Sequence, residues 1–329
     1  MWGSCALEKA QGGVISHLSE AVTMPHPLLR NIIIRESRAL FFKHCFAEIA
    51  SATTIRTMNS LQEASRIYKA FKRGGPTFGA WQMLPGSNHA RAIARSGVDW
   101  ICVDTEHGNI DDGQMHEAVA AIAATGVSPI VRIAANEAWM VKRALDAGAH
   151  GIVVPLIYTV DDAKRLVESA KFPPQGKRGF GSPFSPQTFT NEPLTHYLLN
   201  ANASLQTILQ IETASALEHV EEIAAINGVD CLLIGPFDLG NNIGHPILEG
   251  MDKELVDAID RIKEAAHAKG KKVGIYCTGG EQAREMAEKG FDMISIAADM
   301  IAIPQYFSET LATASGKRGG EKGGGYDGR

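Results

Sequence analysis

The feature that most constrains this chain is a rhythm. Eight times between Thr77 and Ile296 a short apolar run recurs, and an amphipathic stretch follows most of these runs, often opened by a capping residue and closed by glycine. Short, near-continuous Val/Ile/Leu runs separated by helical segments read as strands buried on both faces, the pattern of a parallel sheet covered by helices. The expected strands are residues 77–83, 100–104, 129–133, 151–156, 205–211, 231–234, 272–277 and 293–296. Asp111 or Asp112, Asn136, Thr159 and Thr213 stand where helices should begin, and Gly97, Gly126, Gly148, Gly228, Gly270 and Gly290 where they should stop. Residues 61–71 read as an introductory helix, with Leu61, Ala64, Ile67 and Phe71 on one face, and 172–202 as a loop excursion rich in Pro and Gly. Eight such units in one chain argue for an α/β fold, a closed (β/α)8 TIM barrel. An open doubly wound sheet is the second choice, weakened because no G-x-G-x-x-G stands between the first strand and its helix.

A barrel of about 250 residues leaves both ends of the 329-residue chain outside it. Residues 1–57 show no sustained period and read as a poorly ordered N-terminal extension, with a start near Met58. Arg30, Arg35, Arg38 and Arg56 raise mitochondrial targeting, but Glu8, Glu20, Glu36 and Glu48 in the same stretch disfavour it. Residues 58–314 are the expected barrel domain, and 315–329, rich in Gly and Lys, a disordered tail. A net charge of −5 offers no general attraction to nucleic acid or anionic membranes. No apolar stretch reaches the roughly 18 residues needed to span a bilayer. The five cysteines form no CxxC pair, and Cys102 and Cys231 lie inside apolar runs, so a reducing compartment, the cytoplasm, is expected.

In such barrels the site is built where strands end. Those positions hold Asp104-Thr105-Glu106-His107, Arg132, Gln210-Ile211-Glu212 and Gly235-Pro236-Phe237-Asp238. Glu212 and Asp238, from adjacent strands, leave most coordination positions open, which suits Mg²⁺ or Mn²⁺, hard ions that also take oxygens from a substrate. A 2-oxo acid could chelate such an ion, which would act as a Lewis acid toward the enolate formed when a carbon–carbon bond breaks. Arg132 adds a planar cation for an oxyanion, and His107 a proton shuttle near working pH. Glu106 reads equally as a metal-linked or a solvated carboxylate, and Trp81 as a pocket wall or as packing. No Lys stands among these strand ends, which argues against a Schiff base. His89, His116, His150, His219 and His267 fall on or beside helices and are expected on the surface; His245 is a candidate contact to a neighbour's site.

At these residues the sequence resembles the HpcH/HpaI aldolase family, the class II pyruvate aldolases related to the citrate lyase β-subunit. The likeness runs from about Phe78 to Ile303, through Gly79-Ala80-Trp81, Asp104-Thr105-Glu106-His107, Leu145-Asp146-Ala147-Gly148, Val154-Pro155, Arg178-Gly179-Phe180-Gly181, Gln210-Ile211-Glu212 and Gly235-Pro236-Phe237-Asp238-Leu239. The resemblance implies a phosphoenolpyruvate/pyruvate-type barrel with an extra N-terminal helix and a C-terminal helical extension. It implies Glu212 and Asp238 as ligands of a divalent metal (Mg²⁺, Mn²⁺ or Co²⁺), His107 as acid/base, Arg132 as stabiliser and Asp146 as support for the histidine. Gln210, the Phe237 and Asp238 N–H groups and Trp81 become substrate contacts, and the 178–189 loop a substrate cover. There Ser182-Pro183-Phe184-Ser185-Pro186 departs from the small-residue pattern of bacterial members, which touches aldehyde specificity. A homo-oligomer, often a hexamer with an exchanged C-terminal helix, is also implied.

The expected reaction is reversible, metal-dependent aldol cleavage of a 4-hydroxy-2-oxo acid to pyruvate and an aldehyde. Oxaloacetate decarboxylation, alone or in a macrophomate synthase-like reaction, is the alternative within the same chemistry. A non-catalytic barrel is the alternative outside it, and a CoA-thioester lyase lacks a clear basic patch.

Overall fold

A computed structural model describes residues 58–316. The expectations for residues 1–57 and for the last thirteen positions, 317–329, lie outside them. Eight parallel strands close into a barrel in sequence order: β1 (Thr77–Gln82), β2 (Trp100–Asp104), β3 (Ser128–Arg132), β4 (Gly151–Val154), β5 (Gln206–Ile211), β6 (Cys231–Ile234), β7 (Lys272–Ile275) and β8 (Met293–Ala298). Before them come α1 (Ser60–Ala64) and α2 (Arg66–Arg73). Between them run α3 (Ser87–Ala94), α4 (Asp112–Ala123), α5 (Ala138–Asp146), α6 (Val160–Ala170), α7 (Leu194–Ser204), α8 (Ala214–Glu218), α9 (Val220–Ala224), α10 (Pro236–Ile243), α11 (Lys253–Ala268) and α12 (Gly280–Glu288), and α13 (Asp299–Ala314) follows. Among the described residues no helix is long and apolar enough to cross a membrane.

The strands alternate sides, so every second residue points into the barrel. Trp100 and Cys102 of β2, Ile130 of β3, Val153 of β4, Ile208 of β5, Cys231 and Leu233 of β6 and Met293 of β8 fill its interior. Ile67 and Phe71 of α2 join that cluster from below, and the Ile67 N–H donates to Ser128 Oγ at 3.0 Å. The other faces of the strands pack against the helices in a second, larger core. Continuing the inward alternation upward, the next layer is polar: Asp104, Arg132 and Gln210, with Asp104 and Arg132 in register on β2 and β3.

Several expected caps stand where placed. Asp111 closes a capping box with Gln114, Thr159 with Asp162, and Thr213 caps its helix; Asp252, not among the expected caps, caps α11. Asn136 does not: Glu137 holds the N-cap position of α5, while Asn136 Nδ2 donates to the Asp162 carbonyl 2.9 Å away. The introductory helix breaks at Ser65, whose hydroxyl caps α2 through the Tyr68 N–H. The 172–202 excursion is not all loop. It contains a 3₁₀ turn (Ser185–Thr188) and α7, which buries only Tyr197, Ala201 and Ser204 and so carries little periodic signal.

The starts of the strands share a motif. Gly97-Val98-Asp99, Gly228-Val229-Asp230 and Gly290-Phe291-Asp292 lead into β2, β6 and β8, and each aspartate accepts the N–H of a residue in the preceding strand: Phe78 at 3.1 Å, Thr207 at 2.8 Å and Val273 at 3.1 Å. Each is also matched by a cation: Asp99 by Arg66 (2.9 Å), Asp230 by Lys171 (3.6 Å) and Asp292 by Lys272 (2.6 Å), with His267 Nε2 a further 3.0 Å contact of Asp292. His150 occupies the same slot before β4, so the expected surface histidine is in fact buried, 2% exposed. It stacks on Phe189 and bonds Ser128 and the Thr188 carbonyl, and burial pushes its pKa down to about 4. Cys102 and Cys231 are buried free thiols, as their apolar context implies.

Candidate active site

A cavity of about 240 Å³ opens at the strand ends, lined by Trp81, Met83, Asp104, His107, Arg132, Gln210, residues 233–238 and Tyr276. Its centre is Arg132. Asp104 takes Nε at 2.9 Å and Nη2 at 2.6 Å, the bidentate geometry that fixes a guanidinium plane. The Trp81 ring lies 4.4 Å from the guanidinium carbon, and Tyr276 supports Trp81 edge-on at 5.6 Å. Burial alone would lower the Arg132 pKa, but the bonds to Asp104 and the nearby Glu106 outweigh it and hold the charge more firmly. Asp104 also shapes the loop that follows: its Oδ1 accepts the Glu106 N–H at 3.1 Å and the His107 N–H at 3.3 Å. His107 thereby stands at the rim, its side chain 62% exposed.

Two further acids follow β5 and β6: Glu212 directly after β5 and Asp238 in the first turn of α10. Glu212 is 1% exposed, and both its oxygens are aimed: Oε1 accepts the Leu156 N–H at 2.8 Å, and Oε2 accepts Gln210 Nε2. Leu156 makes that bond from a left-handed backbone (φ 51°), a conformation that costs a non-glycine residue about 1 kcal/mol or more and concentrates at functional sites. Gly235 leaves room for these groups: a Cβ there would stand 2.4 Å from Glu212 Oε2 and 2.8 Å from Gln210 Nε2 and would push both side-chain ends aside. After it α10 begins, with Pro236 in its first turn, presenting the Phe237 and Asp238 N–H groups that a helix start leaves without intrahelical partners.

Electrostatics sets this corner apart. Burial pushes the Glu212 carboxyl up to about 7, Leu156 and Gln210 pull it back, and the charges of Asp238 and Glu106 add to the rise. Burial likewise pushes Glu106 up to about 7, opposed by Arg132 and reinforced by Asp104 and Asp238. Arg132 Nη1 stands 3.1 Å from Glu106 Oε2 without hydrogen-bond alignment, so that buried oxygen has no donor; Gln210 Oε1 likewise has no partner. The neighbouring carboxyls of Glu106, Glu212 and Asp238 and the unpartnered oxygens of Glu106 and Gln210 make a corner whose donors suit a divalent cation.

Asp146, the 178–189 loop and His245 do not join this cavity within the chain. Asp146 ends α5, where Arg178 Nη2 donates to it at 2.9 Å and its carbonyl receives Ser182. The 178–189 loop, expected as a cover, packs instead near the strand starts: Thr188 bonds the Gly148 carbonyl, and Phe189 stacks on His150. His245 bonds Asp252 at 2.6 Å, and neither lines the cavity. Tyr276 and Met83 were not foreseen; both follow apolar strand runs, at the position that supplied the other site residues.

The profile of the HpcH/HpaI aldolase/citrate lyase family matches residues 78–303. A hydroxypyruvate/pyruvate aldolase from Rhizorhabdus wittichii is 34% identical over 251 residues, covering 76% of this chain and 98% of that protein. A 2-dehydro-3,6-dideoxy-6-sulfogluconate aldolase from Pseudomonas putida is 36% identical, covering 76% and 97%. A solved HpcH/HpaI aldolase/citrate lyase family protein from Burkholderia cenocepacia superposes with a TM-score of 0.69 at 34% identity, over 75% of this chain and 98% of that one.

Proposed function

The chain belongs to the HpcH/HpaI aldolase/citrate lyase family, and from that premise we propose how this cavity cleaves a 4-hydroxy-2-oxo acid. The protein is a carbon–carbon lyase of the pyruvate aldolase type, acting on small molecules. The observation that carries the assignment of roles is one clamped cation, Arg132, lining the same small cavity as Asp238 and as Gln210, whose amide is bonded to Glu212. Glu212 and Asp238 would hold a divalent cation, Mg²⁺ or Mn²⁺, which when bound supplies Lewis-acid polarisation of the 2-oxo group.

The chain's own groups do the rest. The N–H groups of Phe237 and Asp238, at the positive start of α10, receive the substrate carboxylate. The Gln210 amide, tied to Glu212, turns its free Oε1 toward the cavity. Arg132 meets the oxyanion that develops at the 2-oxo oxygen, and because Asp104 and Trp81 already hold its plane, no reorganisation is required during reaction. His107, at the wet rim, accepts the proton of the 4-hydroxyl as the C3–C4 bond breaks and the aldehyde leaves, and returns it in synthesis. Trp81 and Tyr276 wall the cavity and exclude water from the Arg132 side. The chain is also proposed to work as a homo-oligomer, supported by Tyr306, Phe307 and Leu311 of α13, which are each 67–69% exposed.

The test avoids guessing the aldehyde. Metal-stripped protein is incubated with pyruvate in D₂O with and without Mg²⁺, and loss of the methyl proton signal is followed by NMR. Mg²⁺-dependent exchange, abolished in Glu212→Ala, is the expected result. No exchange with Mg²⁺ shown bound by calorimetry would overturn the reading. Oxaloacetate decarboxylation is a second reaction for the same site, favoured by one observation: Arg132 and Glu212 are buried while His107 stands at the rim, so a reaction with no hydroxyl proton to remove needs only the buried part.

A further inference from the structure

Asp299 opens α13 directly after β8, and its side chain is 2% exposed. It lies outside the cavity lining and has no part in the mechanism above. Its carboxylate nevertheless collects an unusual set of donors. Oδ1 accepts Met83 N at 3.1 Å and Met300 N at 2.7 Å; Oδ2 accepts Met83 N at 3.0 Å, Leu84 N at 3.0 Å and His89 Nε2 at 2.8 Å. A carboxylate only accepts, so His89 carries its proton on Nε2. The Met300 contact alone would serve the helix start. The contacts to Met83, Leu84 and His89 belong to the turn after β1.

That turn is a brace for the histidine loop. The Met83 carbonyl accepts the Asn109 N–H at 2.9 Å. Gly108 lies flat against it: a Cβ there would stand 3.1 Å from Met83 Cα and 2.2 Å from the Asp104 carbonyl. The 104–109 loop is therefore held at its start by the Asp104 carboxylate and at its end by Met83, with His107 between them. Among the described residues the His107 ring makes no hydrogen bond, its charged contact being Glu106 at 4.0 Å, so within the chain its position follows this backbone.

We propose that Asp299, with His89 behind it, is a positioning residue for His107, acting through the Met83 backbone. The proposal rests on the reading of His107 as the group that moves the 4-hydroxyl proton. It separates two reactions of one site. Cleavage of 4-hydroxy-2-oxopentanoate to pyruvate and acetaldehyde must remove that proton. Decarboxylation of oxaloacetate breaks a C–C bond to release CO₂, leaves an enolate that takes its proton from solvent, and has no hydroxyl proton to lose. Misplacing a catalytic group by about 1 Å costs on the order of 10²-fold, so partial loosening of the loop should cost about 10-fold.

The experiment measures both reactions in Asp299→Asn, His89→Ala and His107→Ala, with Mg²⁺ binding followed by calorimetry. Asp299→Asn keeps the size but turns an amide NH₂ toward N–H donors. The expected result is a fall of about 10-fold in kcat for aldol cleavage, with its KM and the decarboxylation rate within about twofold. His89→Ala, which removes only the outer donor, should show the same split at about 2–3-fold and carries the test if the first variant does not fold. Equal losses in both reactions, or no loss in either, would overturn the proposal. If His107→Ala itself shows no split, the reading of His107 fails and the proposal falls with it; if that variant splits and Asp299→Asn does not, only the proposal falls.

Discussion

The two ends of the barrel treat negative charge in opposite ways. At the strand starts, Asp99, Asp230 and Asp292 each hold a backbone N–H of the preceding strand and each has a cation of its own. At the strand ends Asp104 and Glu106 share one buried cation, Arg132, two of whose donors Asp104 already occupies, while the charge of Asp238 favours protonation of Glu106 and Glu212. One end is balanced and serves to staple neighbouring strands. The other is left with more acid than cation, an arrangement that disfavours the ionised apo state and that a divalent ion would relieve. The difference teaches where to cut: changes below should cost stability, and changes above should cost chemistry.

The largest effect should come from Arg132→Ala, which removes the one cation above. Turnover of the folded variant in aldol cleavage is expected to drop about 10²–10³-fold at saturating metal, and thermal stability should fall as well, because Asp104 is left buried without its partner. Next, Glu212→Gln should weaken Mg²⁺ or Mn²⁺ binding by more than about 10²-fold in calorimetry, beyond the loss caused by removing a ligand's hydrogen-bonding partner. Below, Asp292→Ala leaves the Val273 N–H, Lys272 and His267 without their acceptor. It should cost about 1–3 kcal/mol in urea unfolding while kcat/KM of the folded enzyme stays within about twofold. A large loss of activity at full folding would break the comparison.

The smallest effect sharpens it. Glu106 and Glu212 titrate near 7 in the folded chain and near their ordinary 4.5 when unfolded. Between those values the folded state binds more protons, so stability of the metal-free protein should fall as pH rises from about 5 to 8 and level off above. Saturating Mg²⁺ should flatten that slope. Scanning calorimetry at several pH values, with chelator and with Mg²⁺, checks both arms; a metal-free Tm that rises over the same window would contradict the assignment.

Much of this was legible in the sequence, for identifiable reasons. Val, Ile and Leu runs mark buried strands, and a polar residue at the end of such a run has nowhere to go but the rim, which is how Asp104, Arg132, Gln210 and Glu212 were found. Asp299 obeys the same rule and was missed because β8 was ended at Ile296 rather than Ala298. His150 was misplaced because its neighbours look helical. The signal that could have corrected it was the glycine–apolar–acid pattern recurring before β2, β6 and β8, whose slot His150 shares. The left-handed turn at Leu156 had no signal at all, since leucine gives no hint of a positive φ. Asp146 carries its pattern clearly, yet within one chain its partner is Arg178, a long-range contact that spacing does not encode.

That turn at Leu156 has a kinetic consequence. The Leu156 N–H holds one oxygen of Glu212, so on the proposed reading of this carboxylate as a metal ligand it would meet a cation in a set orientation. Loading then requires the ion to shed water but no search by the protein. Exchange between Mg²⁺ and Mn²⁺ should therefore run at the pace of each ion's own dehydration, slower for the smaller and more tightly hydrated Mg²⁺.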